Sequence, residues 1–260
     1  MPYHTIRVTV EGELGLLALN RPEQRNALTP EMIEEISAAL DELERGPARV
    51  ILLSGDGKSF CAGMDLRALK DVATQTREQN LADARRTAAM FRRLWSYPKP
   101  TIAAVQGFAV AGGCGLATVC DFTVAARGAQ FGYTEVRVGF MPALVSMFLE
   151  RQVGEKVARN LLLTGDRFDA AQAQAMGLVT RVVEPAELMP AARGLAASLL
   201  QYSTGSIAAT KRLLVRSAEA EIDRRISLGI AESVAIRETA DFREGLAAFL
   251  EKRPARWSGR

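Results

Sequence analysis

Short apolar strands alternate with amphipathic helices along the first half of the chain, and this alternation limits the possible folds more than any other feature. Five strands are predicted, at residues 6–10, 14–19, 50–53, 101–105 and 122–126, the first two as a hairpin. Apolar residues at helical spacing follow Thr29 and Pro30, which predicts a helix with Thr29 as its N-cap. The pattern favours an α/β fold with a layered core.

Two further segments of the chain are mainly helical. Residues 65–97 read as a charged loop followed by a helix that ends before Pro98. Beyond residue 154, helices are predicted at 187–200, 205–218, 222–236 and 240–251. We therefore expect a core over residues 1–200 and a helical region over residues 201–260, whose faces could pack on the core or on another subunit.

Composition excludes several classes of protein. The 260 residues contain a single histidine, His4, which argues against serine or cysteine hydrolases and against most transition-metal sites. Three cysteines without a CxxC pair do not predict a disulfide framework or a metal site. A net charge of +3 does not indicate nucleic-acid binding. No signal peptide and no membrane span are predicted, so we expect a cytoplasmic protein.

Two segments rich in small residues each follow a buried strand. They run from Ser59 to Leu66 and from Gln106 to Leu116, and the second turn enters a helix. Glycine and alanine allow a backbone to approach a ligand closely, and the first N–H groups of a helix are free. Two such turns could direct two N–H groups at one oxygen, as in an oxyanion hole. Tight packing between layers is the alternative explanation of the same glycines.

The sequences of these segments resemble motifs of the enoyl-CoA hydratase/isomerase (crotonase) family. Residues 60–66, FCAGMDL, are similar to the family's FxAGxDL, and residues 106–121 are similar to its NGxAxGGGxxLAxxCD. Asn20-Arg21-Pro22 with Asn26-Ala27-Leu28 resembles NRPxxxNAL, and residues 249–253 resemble FxEKR. The matches are collinear and span nearly the whole chain.

The resemblance implies a spiral of ββα turns with a helical trimerisation region, a trimer or dimer of trimers, and an acyl-CoA thioester as substrate without a further cofactor. It implies that the backbone N–H groups of Met64 and Gly112 bind the thioester oxygen. Lys252 is implied to contribute charge near the CoA phosphates, from its own or a neighbouring subunit. The remaining substrate-binding positions implied by the motifs are Ala27, Ala62, Met64, Asp65, Leu66 and Arg67, with Asp65 also fixing the turn.

Family hydratases carry two glutamates, and this chain resembles them at only one. The first position is Gly115 here, whereas the second matches Glu135, which we therefore predict to be the general acid/base. A carboxyl group beside an apolar acyl pocket should have a raised pKa, which suits proton transfer near neutrality. The family's P-x-x-G-G-T is also altered, to bulkier residues after Pro142.

The missing glutamate leaves the reaction open. We expect reversible hydration of a 2-enoyl-CoA, with Glu135 acting alone or with a substitute carboxylate from Asp71, Glu78 or Asp83. Isomerisation of a 3-enoyl-CoA to a 2-enoyl-CoA needs only one shuttling base, and other crotonase chemistry is a third option. RNA binding through the basic residues of the C-terminal helices, or a catalytically inactive family member, are alternatives of a different class.

Overall fold

The computed structural model describes residues 3–259, and its centre is a six-stranded sheet. The first two strands pair antiparallel and the other neighbours pair parallel. In spatial order the strands are β1 (Ile6–Glu11), β2 (Leu14–Leu19), β3 (Val50–Gly55), β4 (Thr101–Val105), β6 (Phe122–Ala126) and β9 (Arg181–Val183). The five strands predicted from the sequence all lie in this sheet, so the expected layered core is confirmed.

A second sheet of three short strands was not predicted. It contains, in order, β5 (Phe108–Val110), β7 (Gln130–Gly132) and β8 (Arg167–Asp169). β5 and β7 run parallel, with Val110 opposite Gly132, whereas β7 and β8 run antiparallel. Three residues are too few to show an alternating pattern, and β5 lies inside the glycine-rich segment that reads as a turn.

The helices cover both faces of the large sheet. In chain order they are α1 (Pro30–Arg45), α2 (Leu66–Thr74), α3 (Arg77–Trp95), α4 (Gly112–Val119), α5 (Ser146–Val153), α6 (Glu155–Thr164), α7 (Ala170–Ala175), α8 (Leu188–Leu200), α9 (Thr204–Arg216), α10 (Glu219–Arg237) and α11 (Ala240–Glu251). The predicted start of α1 is confirmed, because Thr29 Oγ1 accepts a hydrogen bond from Met32 N at 3.1 Å.

The prediction of a loop followed by one helix over residues 65–97 was partly wrong. The segment forms two helices, because Asp65 caps the start of α2 and Thr76 caps the start of α3. Thr76 and Gln79 make a reciprocal capping box, which satisfies two amide hydrogens at that helix start. The second helix, α3, ends at Trp95, in agreement with the predicted stop before Pro98.

The C-terminal helices pack onto the rest of the chain. Helix α10 lies against α3, and α11 lies against α2 and against a short 3-10 helix, Glu135–Val138. Their bounds agree with the predicted ones to within three residues. None of the helices within residues 3–259 is long and apolar enough to span a bilayer.

Candidate active site

The two small-residue segments run side by side. Phe60 N donates to Gln106 O at 2.8 Å, Cys61 N donates to Phe108 O at 2.9 Å, and Val110 N donates to Cys61 O at 3.1 Å. Residues 60–61 thus extend the small sheet beside β5 in parallel register. Because parallel segments end at the same edge of a sheet, the two turns that follow them meet there.

The amide of Met64 is held by an isolated bridge to Leu28. Leu28 N donates to Gly63 O at 2.7 Å, and Asp65 N donates to Leu28 O at 2.8 Å. Successive backbone groups of an extended segment point to opposite sides, so the N–H of Met64 points away from Leu28. It has no hydrogen-bond acceptor within residues 3–259, and Met64 lines a cavity on that side.

The amide of Gly112 is freed by its position at the first residue of α4. An N–H at this position has no partner inside its helix, and none is present elsewhere in the described chain. The preceding residue, Ala111, has φ 50° and ψ −127°, a conformation that costs a non-glycine residue on the order of 1–3 kcal/mol. Such strain, fixed by a bond from Ala111 N to Gly132 O at 2.7 Å, orients the peptide that carries this amide.

Close contact of the two turns requires glycine. A Cβ on Gly113 would lie 2.2 Å from the carbonyl oxygen of Cys61, so no side chain fits there. Gly63 has φ +87°, and a Cβ on it would lie 2.9 Å from Cβ of Ala111. Gly63 and Gly113 therefore allow the close packing, and the residues next to them, Met64 and Gly112, carry the free amides, so the two interpretations of these segments are compatible.

Glu135 reaches the same edge from β7. This strand is parallel to β5, and Glu135 follows its last residue by three positions, at the start of the 3-10 helix. Although the residue as a whole is only half-buried, its Oε2 is shielded from solvent and has no hydrogen-bond partner within the described residues. Burial raises the pKa of this carboxyl from 4.5 to about 7, while its own backbone N–H, which favours the carboxylate, offsets part of the rise.

One cavity brings these groups together. It has a volume of about 170 Å³ and opens to solvent, and Met64, Gly112 and Glu135 all line it together with Ala62. Apolar side chains from six segments form much of the remaining wall: Leu28, Val72, Phe91, Phe140, Leu144 and Phe249. Two free amides and one carboxyl group of raised pKa in an apolar pocket suit chemistry that stabilises a developing oxyanion while a proton moves.

Known proteins similar to this chain show which family it belongs to. A model of the enoyl-CoA hydratase/isomerase family matches residues 9–260. The chain belongs to this family. The crotonase resemblance seen in the motifs is therefore confirmed, and so are the α/β crotonase fold and the enzyme class.

Similar proteins cover this crotonase almost completely. A putative enoyl-CoA hydratase of Thermus thermophilus is 43% identical over 95% of this chain and 98% of its own length. A crotonyl-CoA hydratase of Syntrophomonas wolfei is 36% identical, with 98% of each chain covered. The structure of an enoyl-CoA hydratase/isomerase from Xanthobacter autotrophicus is similar with a TM-score of 0.90 at 33% identity, covering 98% of this chain and 99% of that one.

Not all the substrate-binding positions implied by the crotonase motifs line this cavity. Asp65 fixes the turn, as predicted: it accepts from Arg67 N at 2.9 Å and pairs with Arg21 at 3.1 Å. Arg67 and Lys252 are exposed outside the cavity, and Lys252 is the αL residue that ends α11.

Two further implied positions are Ala27 and Leu66. Ala27 is buried and its carbonyl accepts from Arg21 Nη1 at 2.7 Å. The side chain of Leu66 lies outside the described part of the structure. CoA binding by Ala27, Asp65, Leu66, Arg67 and Lys252 stays a prediction.

The position of the missing crotonase glutamate, Gly115, is occupied by neighbouring side chains. A Cβ there would lie 2.4 Å from Cγ1 of Val145 and 3.2 Å from the ring of Phe91. Val145 stands where the family's P-x-x-G-G-T has its first glycine. The two departures from the family pattern therefore compensate each other in space, because the added valine fills the room that the lost glutamate would need.

We expect this compensation to appear as coupling in a double-mutant cycle. Gly115→Glu alone should lower the free energy of unfolding by about 1–3 kcal/mol through overpacking. In the Val145→Ala background the same change should cost at least about 1 kcal/mol less, since contacting residues couple. Urea unfolding of the four proteins measures both quantities, and additive effects would contradict the proposed contact.

The candidate substitute carboxylates do not complete the site. Asp71 and Glu78 are exposed, and Asp83 Oδ2 accepts from Arg237 Nη1 at 2.9 Å. Among the described residues that line the cavity, Glu135 is the only acidic one. The polar residues of α3 and α10 that line the cavity were not predicted, because isolated polar residues on amphipathic helices form no motif.

Proposed function

We propose that this crotonase catalyses the reversible addition of water to the double bond of a 2-enoyl-CoA. The observation that supports this most is the meeting of two free amides, of Met64 and Gly112, with the buried carboxyl of Glu135 in one apolar cavity. Hydratase names among the relatives at 36–43% identity support the same reaction.

The geometry suggests how each group acts. The thioester oxygen accepts hydrogen bonds from the two amides, which stabilise the negative charge of the enolate. The Glu135 carboxylate takes a proton from water as the hydroxyl group adds to C3, and C2 becomes the nucleophilic end of the enolate. The protonated Glu135 then donates that proton to C2, so one carboxyl group completes the addition and returns to its starting state.

Isomerisation of a 3-enoyl-CoA is a second candidate, favoured by the filled space at Gly115. With a single carboxyl group, the enzyme would remove a proton from C2, form a dienolate whose oxyanion is stabilised by the same two amides, and return a proton to C4. Isomerisation adds no water, so it needs no second carboxylate to hold a water molecule.

Two substrates distinguish the candidates. On crotonyl-CoA, we expect loss of the conjugated enoyl-thioester absorbance and formation of 3-hydroxybutyryl-CoA. On 3-hexenoyl-CoA, a hydratase should leave the absorbance unchanged, whereas an isomerase should raise it. A gain from the second substrate without a loss from the first would replace hydration by isomerisation.

We also propose that residues 201–260 form an oligomerisation region and that the enzyme is a trimer or dimer of trimers. Large apolar side chains are exposed on this region, Leu213 and Leu214 on α9 and Leu228 on α10. RNA binding by the basic residues of this region has less support than oligomerisation. Two of these residues already form ion pairs within the chain, Lys211 with Asp121 and Arg225 with Glu150. The cytoplasmic location stays a prediction.

A further inference from the structure

Three buried polar atoms without partners lie in the cavity wall between α3 and α10. Thr87 Oγ1, Ser233 Oγ and Arg237 Nε are shielded from solvent and have no hydrogen-bond partner within residues 3–259. Their residues are only 5%, 1% and 5% exposed, and all three line the cavity that holds Glu135. Leaving buried donors and acceptors unpaired is costly, so their presence in an otherwise apolar wall points to a bound partner.

We propose that these three atoms form a subsite for a neutral oxygen substituent, a hydroxyl or a carbonyl, on the acyl chain of the substrate. The proposal rests on the proposed function, because it assumes that the cavity receives an acyl-CoA. It adds a substrate class: enoyl thioesters oxygenated beyond the reacting double bond.

The guanidinium group of Arg237 is fixed by its other contacts. Its Nη1 donates to Asp83 Oδ2 at 2.9 Å and to Asn80 Oδ1 at 3.1 Å, and its Cζ lies 5.7 Å from the ring centre of Phe140. These contacts leave the Nε–H as a preorganised donor that needs an acceptor. The two hydroxyl groups can each donate or accept, so each of the three atoms can pair with a hydroxyl or carbonyl oxygen on the ligand.

The charge of this cluster favours a neutral ligand. The Asp83–Arg237 pair is only 7% and 4% exposed at its side chains, and the two charges cancel. Arg86 lies 3.9 Å from Asp83, but it is already paired with Glu34 at 2.5 Å. A ligand carboxylate would therefore place an uncompensated negative charge in a mostly apolar cavity, which a hydroxyl or carbonyl group would not.

The position of the cluster places the substituent beyond C3. A Cβ on Gly112 would lie 4.0 Å from Cζ of Phe91, so Phe91 flanks the turn that binds the thioester oxygen. Thr87 precedes Phe91 by four residues on α3, which is just over one helical turn, or about 6 Å along its axis. Ser233 and Arg237 face α3 from α10. An oxygen on C5 or C6 of an extended acyl chain fits this separation.

The experiment compares acyl chains of equal length. The value of kcat/KM is measured for trans-2-hexenoyl-CoA, for its 5-hydroxy, 6-hydroxy and 5-oxo derivatives, and for trans-2-hexenedioyl-CoA, which carries a terminal carboxylate. We expect at least one neutral derivative to be preferred over the unsubstituted thioester by about tenfold, as one well-made buried hydrogen bond allows. The dicarboxylic derivative should not be preferred.

Paired variants then assign the preference to the cluster. In Thr87→Val/Ser233→Ala the preference should fall to one or below, while the melting temperature is unchanged or raised, since neither hydroxyl has a partner to lose. Ser227→Ala is the matched control, because Ser227 is an exposed residue of α10 whose hydroxyl donates to Asp223 O. It should keep the full preference.

The outcomes separate this proposal from the proposed function. Affinities of hexanoyl-CoA and 5-hydroxyhexanoyl-CoA for the Glu135→Gln protein, measured by calorimetry, report the subsite without any turnover. A binding preference without hydration of any enoyl-CoA would overturn the hydratase proposal and leave the subsite. Hydration without any preference for oxygenated chains, or a preference that persists in the double variant, would overturn the subsite and assign the cluster to internal water only.

Discussion

Glu135→Gln is expected to lower the rate of 2-enoyl-CoA hydration by about 10³–10⁴-fold, at the upper end of what general acid–base catalysis contributes. Glutamine keeps the size of the side chain but can neither take a proton from water nor return one to C2. The effect should be large because no other acidic side chain lines the cavity within the described residues. Steady-state kinetics with crotonyl-CoA measure it, and the loss should appear in kcat.

A matched control is Glu78→Gln, which makes the same chemical change at an exposed residue of α3. It should leave turnover unchanged, which would also remove Glu78 as a substitute carboxylate. Near wild-type turnover in Glu135→Gln would remove Glu135 from the mechanism, whatever the reaction.

The raised pKa of Glu135 predicts the pH dependence of the wild-type enzyme. Hydration requires the carboxylate at its start, and the pKa of the free enzyme's group is about 7. We therefore expect kcat/KM to rise with pH through a limb centred near 7 and to level off above it. A limb near 4.5, the ordinary value for a glutamate, would mean that the carboxyl is hydrated in solution and not buried as described.

The same burial predicts a cost in stability. Well below pH 4.5 the carboxyl is protonated in both the folded and the unfolded chain, so it does not change the free energy of unfolding. Between pH 4.5 and about 7 the unfolded chain ionises first, and the folded state therefore loses stability as the pH rises. The total loss is at most about 3–4 kcal/mol, since one pKa unit corresponds to about 1.4 kcal/mol.

Glu135→Gln should remove this dependence. We expect the variant to be more stable than the wild type at pH 8, with a smaller difference at pH 5, in urea unfolding at both values. If Glu135 is the general acid/base that we propose, its cost to the stability of the fold is an example of stability exchanged for activity. Equal stability of the two proteins at pH 8 would contradict burial of the ionised carboxyl.

The parts of this site that could be predicted from the sequence are those determined by residues close together in the chain. Helix α1 was predictable because Thr29 caps it directly, and Glu135 and the two turns were predictable because each belongs to a contiguous motif. The coupling of Gly115 to Val145 was not, since thirty residues separate a missing side chain from the one that fills its space. The cluster of Thr87, Ser233 and Arg237 is assembled from two helices that meet only in the folded chain.

The short strands were missed for a different reason. Strand β5 has three residues, and its pairing with β7 is determined by tertiary packing and not by local propensity. Yet β5 and β7 are the elements that bring Gly112 and Glu135 to one edge. The proposed catalytic geometry thus depends on the strands whose local sequence gives the weakest signal.

Gly112→Pro is expected to lower kcat by about 10²–10³-fold, the usual effect of removing one oxyanion-hole donor. Proline removes the N–H but is tolerated at the first residue of a helix, where the amide has no partner inside the helix. Gly112→Ala is the matched control, because its Cβ meets the same neighbour, Leu28 Cδ1 at 3.1 Å, while the amide is retained. The comparison between these two variants separates the loss of the hydrogen bond from the effect of the added Cβ.

The measurement is the ratio of kcat between the proline and alanine variants, with circular dichroism and thermal melting to establish that both are folded. Because the bond strengthens as charge develops on the thioester oxygen, KM should change much less than kcat. If proline proves incompatible with the strained Ala111 before it, a backbone ester at residue 112 replaces the same N–H by oxygen without adding a side chain. A folded protein that lacks this N–H and turns over as fast as Gly112→Ala would show that the amide does not bind the reacting oxygen, and Met64 alone could not then account for stabilisation of an enolate.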